Sequence, residues 1–403
     1  LAFADGQLKD FKIDDIYTAD GALTGHIDPP EPIRAHLGQE HWYMRDSNWD
    51  PDFKISGNRA QWFLNKEVGI AVDGVIAVDL NFVQELLAAV GPISIEDFNE
   101  KISAENLFSL VHTQVHTDFF PGSTKKKDLL GAIARKLIDT VLQNGSALNS
   151  TFLVSVQKSI SEKHLMFYLP NPLDQALLRT LALSGEMNQF AGCTSASCEM
   201  SQPDYWSLID ANLGVNKSNY YLTRRISDAV TLSSEGTALH TLSISYKNDS
   251  KAESQTEGTY KNYLRLFVPK GSQLKSALSD EKGLTLDLSS PTASSSSVKI
   301  QDLRQFTVFE HLLNVAPGSS ATVTFIYEVA NVASNGYALT MQKQAGTDRD
   351  PVDLRLNLPQ SWQVSDNGIS TTESSPQDLL VKSGQVTYNT TLSQDRGISI
   401  KIK

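Results

Sequence analysis

Arg45, Asp46, Asn48, Asp50 and Asp52 crowd into W-Y-M-R-D-S-N-W-D-P-D-F, which begins at Trp42. A planar guanidinium beside several carboxylates is the equipment of phosphate chemistry. Arg45 forks a phosphate, and a carboxylate from Asp46, Asp50 or Asp52 holds a Mg²⁺ that neutralises the rest. Arg45, Asp46, Asp50 and Asp52 are therefore the catalytic candidates. Asp46, Asp50 and Asp52 are the metal candidates, and Asn48 is a ligand-binding candidate. The same residues also suit a structural loop, with Arg45 paired to Asp46 or to backbone, Trp49 packed, and Asp50-Pro51 starting a turn. Both readings stay open.

Lys125, Lys126 and Lys127 open an expected helix that also carries Arg135. Positive charge there opposes the helix dipole, and a bound polyanion would reverse the sign. A solvated charge run is the plain alternative. Lys217, with Asn212 and Asn216, follows an expected strand Tyr205–Asp210. Such a strand end is either a ligand position or a turn built on Gly214 and Asn216, and the turn is favoured. The eight histidines are expected not to cluster. His112 and His116 have helical i, i+4 spacing, but H-T-Q-V-H lacks the glutamate of a zincin. The only cysteines, Cys193 and Cys198, are spaced for a small local disulfide worth about 2 kcal/mol, with two free thiols as the alternative.

The elements that must carry these residues follow from patterning. Val75–Val78 is an unbroken apolar run, expected to be a strand buried on both faces. Asp79 or Asn81 caps the next helix, Gly91 and Pro92 end it, and Ile93 and Ile95 begin another strand. This strand–helix–strand unit predicts an α/β layered domain over residues 1–218. Helical periodicity then gives way to alternation in Leu239–Tyr246, Tyr263–Val268, Val298–Leu303, Ala321–Val329, Val352–Leu358 and Ile398–Ile402. That pattern predicts an antiparallel β-sandwich over 219–331, with 332–403 either a second small sandwich or more strands of the first.

At 403 residues the chain is long enough for two or three domains. A net charge of −11 argues against a general nucleic-acid binder or adhesion to anionic lipid. The most apolar stretch, Gly69–Val90, is interrupted by Asp73, Asp79 and Glu85, so no run suits a membrane span. The start, L-A-F-A-D-G-Q, carries neither an initiator methionine nor a basic signal-type segment. It is expected to lie inside a longer protein.

The segment from Trp42 together with V-D-G-V-I-A-V-D resembles the bacterial domain of unknown function 4012 family. G-P-I-S-I (Gly91–Ile95), K-K-K-D-L-L (Lys125–Leu130), D-A-N-L-G-V-N-K-S-N (Asp210–Asn219) and G-T-Y-K-N-Y-L-R (Gly258–Arg265) support it. The resemblance implies an extracytoplasmic cell-envelope protein, anchored by an N-terminal membrane segment outside these residues. It also implies upstream strands that complete the first sheet. A weaker similarity runs to the LytR-CpsA-Psr cell-wall glycopolymer transferases, whose arginine motifs are not matched residue for residue. That similarity implies phosphoryl transfer from a lipid-linked pyrophosphate, with a divalent metal. Two functions are therefore expected. One is binding or transfer of a phosphate-containing glycopolymer or lipid-linked precursor. The other is a non-catalytic surface or assembly protein, with self-assembly among its uses. Convergence of Arg45, the nearby aspartates and Lys125–Lys127 on one cleft would separate them.

Overall fold

The structure, a computed structural model, describes residues 1–5, 7–95, 100–111, 124–143, 149–187, 203–252, 257–281, 284–287, 298–333, 336–372, 378–382 and 384–402. The chain divides into two units. One comprises Leu1–Pro30 and Gln39–Met187, the other Glu31–Gly38 and Asn188–Lys403.

The first unit is mixed α/β. Strands β1 (Ala2–Ala4) and β2 (Gln7–Asp10) pair antiparallel. Helix Ile16–Asp20 and a 3₁₀ turn, Met44–Trp49, lead to helix Phe53–Val68. Asp52 starts that helix by accepting from the Lys54 N–H, and Gly69 ends it at φ +73°. Strand β3 (Val75–Val78) follows, then helix Leu80–Val90, capped by Asp79 through the Phe82 N–H. Next come β4 (Ile93–Ile95), β5 (Glu100–Ile102), helices Thr124–Gln143 and Ser150–Ser161, β6 (Leu165–Tyr168) and helix Pro172–Thr180.

The two strands of the strand–helix–strand segment do not pair with each other: β3 pairs antiparallel with β6, and β4 pairs antiparallel with β5. Nor is β3 buried on both faces, because Ile76 and Val78 are about half exposed. The helix explains both. Leu87, with Val83 and Val90 beside it, packs into a core with Ile93, Ile95, Ile102, Leu129, Ile133 and Leu137. Its apolar face is thus used on β4, β5 and helix Thr124–Gln143.

The second unit holds two large sheets. Its strands are β7 (Asp204–Ile209), β8 (Leu222–Leu232), β9 (Ala238–Asn248), β10 (Tyr260–Pro269), β11 (Gln273–Glu281), β12 (Leu284–Asp287), β13 (Lys299–Leu303), β14 (Phe306–Val315) and β15 (Ser320–Val329). They continue with β16 (Gly336–Gln342), β17 (Asp350–Asn357), β18 (Val364–Thr371), β19 (Asp378–Lys382), β20 (Gln385–Leu392) and β21 (Arg396–Ile402). Among the described residues one sheet runs β13-β14-β10-β7-β16-β21-β18 and the other β12-β11-β15-β9-β8-β17-β20-β19. Alternate side chains of both sheets, including Trp206, Leu242, Leu264, Phe309, Phe325 and Tyr337, share one apolar core.

Pairing in each sheet is antiparallel except at its middle, where β7–β16 and β8–β17 run parallel. Through those two pairings the strands after residue 331 become further strands of the same sheets. The strand expected at Tyr205–Asp210 as the last of the α/β region sits instead in the centre of the β13–β18 sheet, hydrogen-bonded to β10 and β16. Its residues are buried along the whole length, as a central strand requires. Helix Glu31–Leu37 also belongs to this unit. It buries Ile33, and its His36 carbonyl accepts from Lys261 Nζ on β10 at 3.1 Å.

Candidate functional site

Arg45 stands at the centre of a partly buried cluster in the first unit. The 3₁₀ turn Met44–Trp49 presents it, and Trp42 steadies that turn by donating its indole N–H to the Asp46 carbonyl at 3.0 Å. Helix Ile16–Asp20 ends in Asp20, which is 5% exposed. Arg45 Nη1 donates to Asp20 Oδ2 at 2.8 Å, and its backbone N–H reaches Oδ1 at 3.4 Å. Nη2 donates to Gln39 Oε1 at 2.8 Å. The guanidinium also lies over the Tyr43 ring, 4.4 Å from its centroid, and 5.8 Å from that of Tyr17.

Two further carboxylates border this group. Asp46 Oδ2 is 3.6 Å from Arg45 Nε, an ion pair longer than a hydrogen bond. Burial raises the Asp46 pKa, with Arg45 pulling it down and Asp20 pushing it up. Glu67, near the end of helix Phe53–Val68, accepts the Met44 N–H at 3.2 Å, while its Oε2 has no partner among the described residues. Burial raises its pKa too, against the lowering effect of the Met44 N–H.

Asp50 and Asp52 do local work. Asp50 Oδ1 accepts the Asp52 N–H at 3.0 Å, and Asp52 Oδ1 accepts the Lys54 N–H at 3.0 Å. Asn48 is exposed at the kink of the 3₁₀ turn. Among the described residues no three His, Cys, Asp or Glu side chains form a group that could hold a metal ion. Asp46, Asp50 and Asp52 do not gather into one such group: Asp50 and Asp52 each accept a backbone N–H, while Asp46 borders Arg45. Lys125, Lys126 and Lys127 fall in the first turn of helix Thr124–Gln143, and their side chains lie outside the described residues. Arg135 is exposed on that helix, 5.7 Å from the Phe11 ring centroid. Lys217 belongs to the other unit, just before the 3₁₀ turn Ser218–Tyr221. Asn212 and Asn216 build the turn there: Asn212 Oδ1 accepts the Gly214 N–H, and Asn216 Oδ1 accepts the Ser218 N–H. Cys193, Cys198, His112 and His116 lie outside the described residues.

Several chemically loaded groups carry no local signal in the sequence. Asp20, Gln39 and Glu67 complete the Arg45 cluster. His26 and His41, expected not to cluster, bring their Nδ1 atoms within 3.0 Å of each other. In the second unit, His240 is fully buried between Asp204 on β7, 2.8 Å from Nε2, and Asp228 on β8, 3.0 Å from Nδ1. Tyr337 donates to Asp204, Trp206 donates to Asp228, and the Tyr327 ring stacks on the imidazole. Burial alone would lower the His240 pKa, but Asp228 and Asp204 carry it up to about 10. Nearby in sequence, Arg224 bridges Asp210 at 2.7 Å and Asp350 at 2.6 Å, and Tyr246 donates to Asp210. Both groups tie β7 or the residue following it to the other sheet. The His240 group is fully enclosed and the Arg224 group nearly so, and both serve the fold.

Residues 1–116 match the family model described as protein of unknown function, DUF4012. This segment resembles the DUF4012 family. It contains the whole Arg45 cluster, together with β3 and helix Leu80–Val90. No curated protein matches the chain. Among solved structures, a Legionella pneumophila protein whose proposed role is nutrient binding is 8% identical, with a TM-score of 0.30, over 50% of this chain and 71% of its own. The M1 zinc metallopeptidase of Deinococcus radiodurans is 10% identical, with a TM-score of 0.24, over 50% and 43%. Yeast LTA4 hydrolase is 8% identical, with a TM-score of 0.27, over 47% and 31%. The chain spans less than half the length of these last two. At such scores the likenesses say nothing about activity here. Outside the DUF4012 segment, function has to be read from the residues themselves.

Proposed function

We propose that this chain is a non-catalytic protein of the cell envelope. The two-sheet unit supplies contact surface, and the DUF4012 segment forms part of its support. The observation that carries this reading is the engagement of Arg45. Both of its terminal nitrogens already have acceptors, one of them a buried carboxylate that would be left uncompensated if the guanidinium turned outward. A phosphate-binding arginine needs that fork unoccupied. The placing of Asp50 and Asp52 in turn and cap roles supports the same reading. The extracytoplasmic localisation and the N-terminal anchor rest on the family resemblance, and self-assembly rests on the exposed apolar strand β3. Among the described residues no helix is long and apolar enough to cross a membrane. The edge of β3 away from β6 is the place where an additional strand would extend the first sheet, as the resemblance implies.

The rival reading, LytR-CpsA-Psr-like transfer from a lipid-linked pyrophosphate, makes the opposite demand on Arg45. The test is calorimetric titration of wild type, R45K and a K125A/K126A/K127A variant with a polyprenyl-pyrophosphate, with and without Mg²⁺. The expected result is no binding that depends on Arg45. Saturable, Mg²⁺-dependent binding abolished by R45K would replace the scaffold reading with the transferase one.

A further inference from the structure

We infer that His26 and His41 form a two-histidine site for a borderline transition-metal ion such as Zn²⁺, Ni²⁺ or Cu²⁺, a site distinct from the Arg45 cluster and independent of the scaffold reading. The two residues lie fifteen positions apart, and their Nδ1 atoms approach to 3.0 Å. Two nitrogen ligands on a tetrahedral zinc, each about 2.0–2.1 Å from the metal, stand roughly 3.4 Å apart. Opening the pair by a few tenths of an ångström and rotating the exposed His26 ring admits the ion. The rings meet edge to face at 73°, with centroids 4.6 Å apart, so they are not stacked.

The backbone holds this pair in register. The Trp42 N–H donates to the Ile27 carbonyl at 2.8 Å, joining the residue after His41 to the residue after His26. Trp42 is fixed in turn by its indole bond to Asp46 and by edge-on packing against Phe63, 5.7 Å between centroids. Asp28 supplies the outer partner. Its Oδ1 lies 3.1 Å from His26 Nε2, so the carboxylate accepts a proton held on that nitrogen. In the neutral ring this leaves the Nδ1 lone pair facing His41. A carboxylate on the far nitrogen is the usual way a metal-binding imidazole is oriented.

With the His26 proton on Nε2 towards Asp28, the metal-free pair is joined by a His41 Nδ1–H donated to His26 Nδ1. With metal, the His41 proton moves to its own Nε2 through solvent, and both Nδ1 lone pairs bind the ion. No net proton is released at a pH where both rings are neutral. His26 and Asp28 are largely exposed, so water completes the coordination and entry is unobstructed. Imidazole ligands select zinc, nickel or copper over the hard, oxygen-seeking Mg²⁺.

The test uses the full chain carrying H112Q/H116Q, which removes the other histidine pair. Calorimetric titrations with ZnSO₄, NiCl₂ and MgCl₂ at pH 7.5 are run on this parent and on parent plus H26Q, H41Q or D28N. One zinc per chain is expected in the parent, none in H26Q or H41Q, about tenfold weaker binding in D28N, and no magnesium binding. X-ray absorption of the zinc-loaded parent reads the ligands directly and should find two imidazoles, which keeps the proposal testable if H41Q folds poorly. No zinc binding by the parent overturns it. So does zinc binding that survives H26Q, or a spectrum without imidazole ligands.

Discussion

The buried cation of the two-sheet unit makes a quantitative demand on stability. His240 has a folded pKa near 10, against 6.5 for the free side chain. A raised value means that the folded state holds a proton the unfolded state has lost. The stabilisation is complete below pH 6.5 and disappears as pH climbs through 10. Inside that window unfolding free energy should fall by about 1.4 kcal/mol per pH unit from this one group. Across the whole window the loss is on the order of 5 kcal/mol, a large share of a typical domain's margin. Lysines and tyrosines titrate at the top of the range, so the comparison must be made against a variant. H240Q keeps a hydrogen-bond donor but removes the charge. It strands Asp204 and Asp228, which are 0% exposed, without a cation. That should cost roughly 3–5 kcal/mol near neutrality and abolish the alkaline slope. The assay is guanidinium unfolding of both proteins at half-unit steps from pH 6 to 9.5, followed by β-sheet circular dichroism, with amide protection on β8 and β9 as a local check. Parallel slopes in the two proteins would refute the claim that His240 carries a proton in the core.

The opposite sign is expected at His311 on β14, which is buried without a partner for either ring nitrogen among the described residues and whose pKa burial lowers to about 4. Stability should fall as pH drops from 6.5 towards 4, by on the order of 3 kcal/mol; H311L should flatten that acid slope without lowering stability at pH 7, and an unchanged slope would count against it. Removing the fork with R45A leaves Asp20 unpaired and should destabilise the first unit by roughly 3–5 kcal/mol, while R45K should lose less; a thermal melt indistinguishable from wild type would show that solvent, not Arg45, satisfies Asp20. At Gly57 an added Cβ would stand 2.6 Å from Tyr168 Cβ, so G57A should cost roughly 1–3 kcal/mol by chemical denaturation, and a neutral result would mean that β6 can shift away.

Elements with a local cause were readable from the chain. Asp79 caps its helix and Gly91 follows the helix end at φ +86°, as the residue types require. The alternating runs predicted around 239–246, 263–268, 321–329 and 398–402 are all strands; burial alternates along three of them, whereas Tyr263–Val268 is buried on both faces. Helix Phe53–Val68 was passed over, although Asp52 and Gly69 mark both its ends. Pairing was not readable. A parallel match of β8 with β17 joins residues more than a hundred positions apart, and nothing within either strand names the other. The apolar run of β3 misled for a related reason: composition reports that a face can be buried, while its neighbours decide whether it is.

The same distinction governs the site. Arg45 was singled out because its own neighbours are acidic, yet its closest acidic partner is Asp20, twenty-five residues upstream at the end of a five-residue helix. Local spacing therefore identified the cation and misplaced the anion. The consequence reaches function. An arginine surrounded by Asp46, Asp50 and Asp52 in sequence looks like half of a phosphate site. An arginine whose fork is closed by a buried carboxylate and a glutamine is the pin that holds helix Ile16–Asp20 against the Met44 turn. Burial raises the pKa of both Asp46 and Glu67 beside that single cation, and the Asp20 carboxylate pushes each further the same way. The histidine pair gives the complementary case. His26 and His41 each read as isolated residues, and the backbone bond from Trp42 to Ile27 joins their neighbours. On the proposed reading, backbone pairing brings His26 and His41 together at the surface, while Arg45 and the carboxylates around it hold the fold.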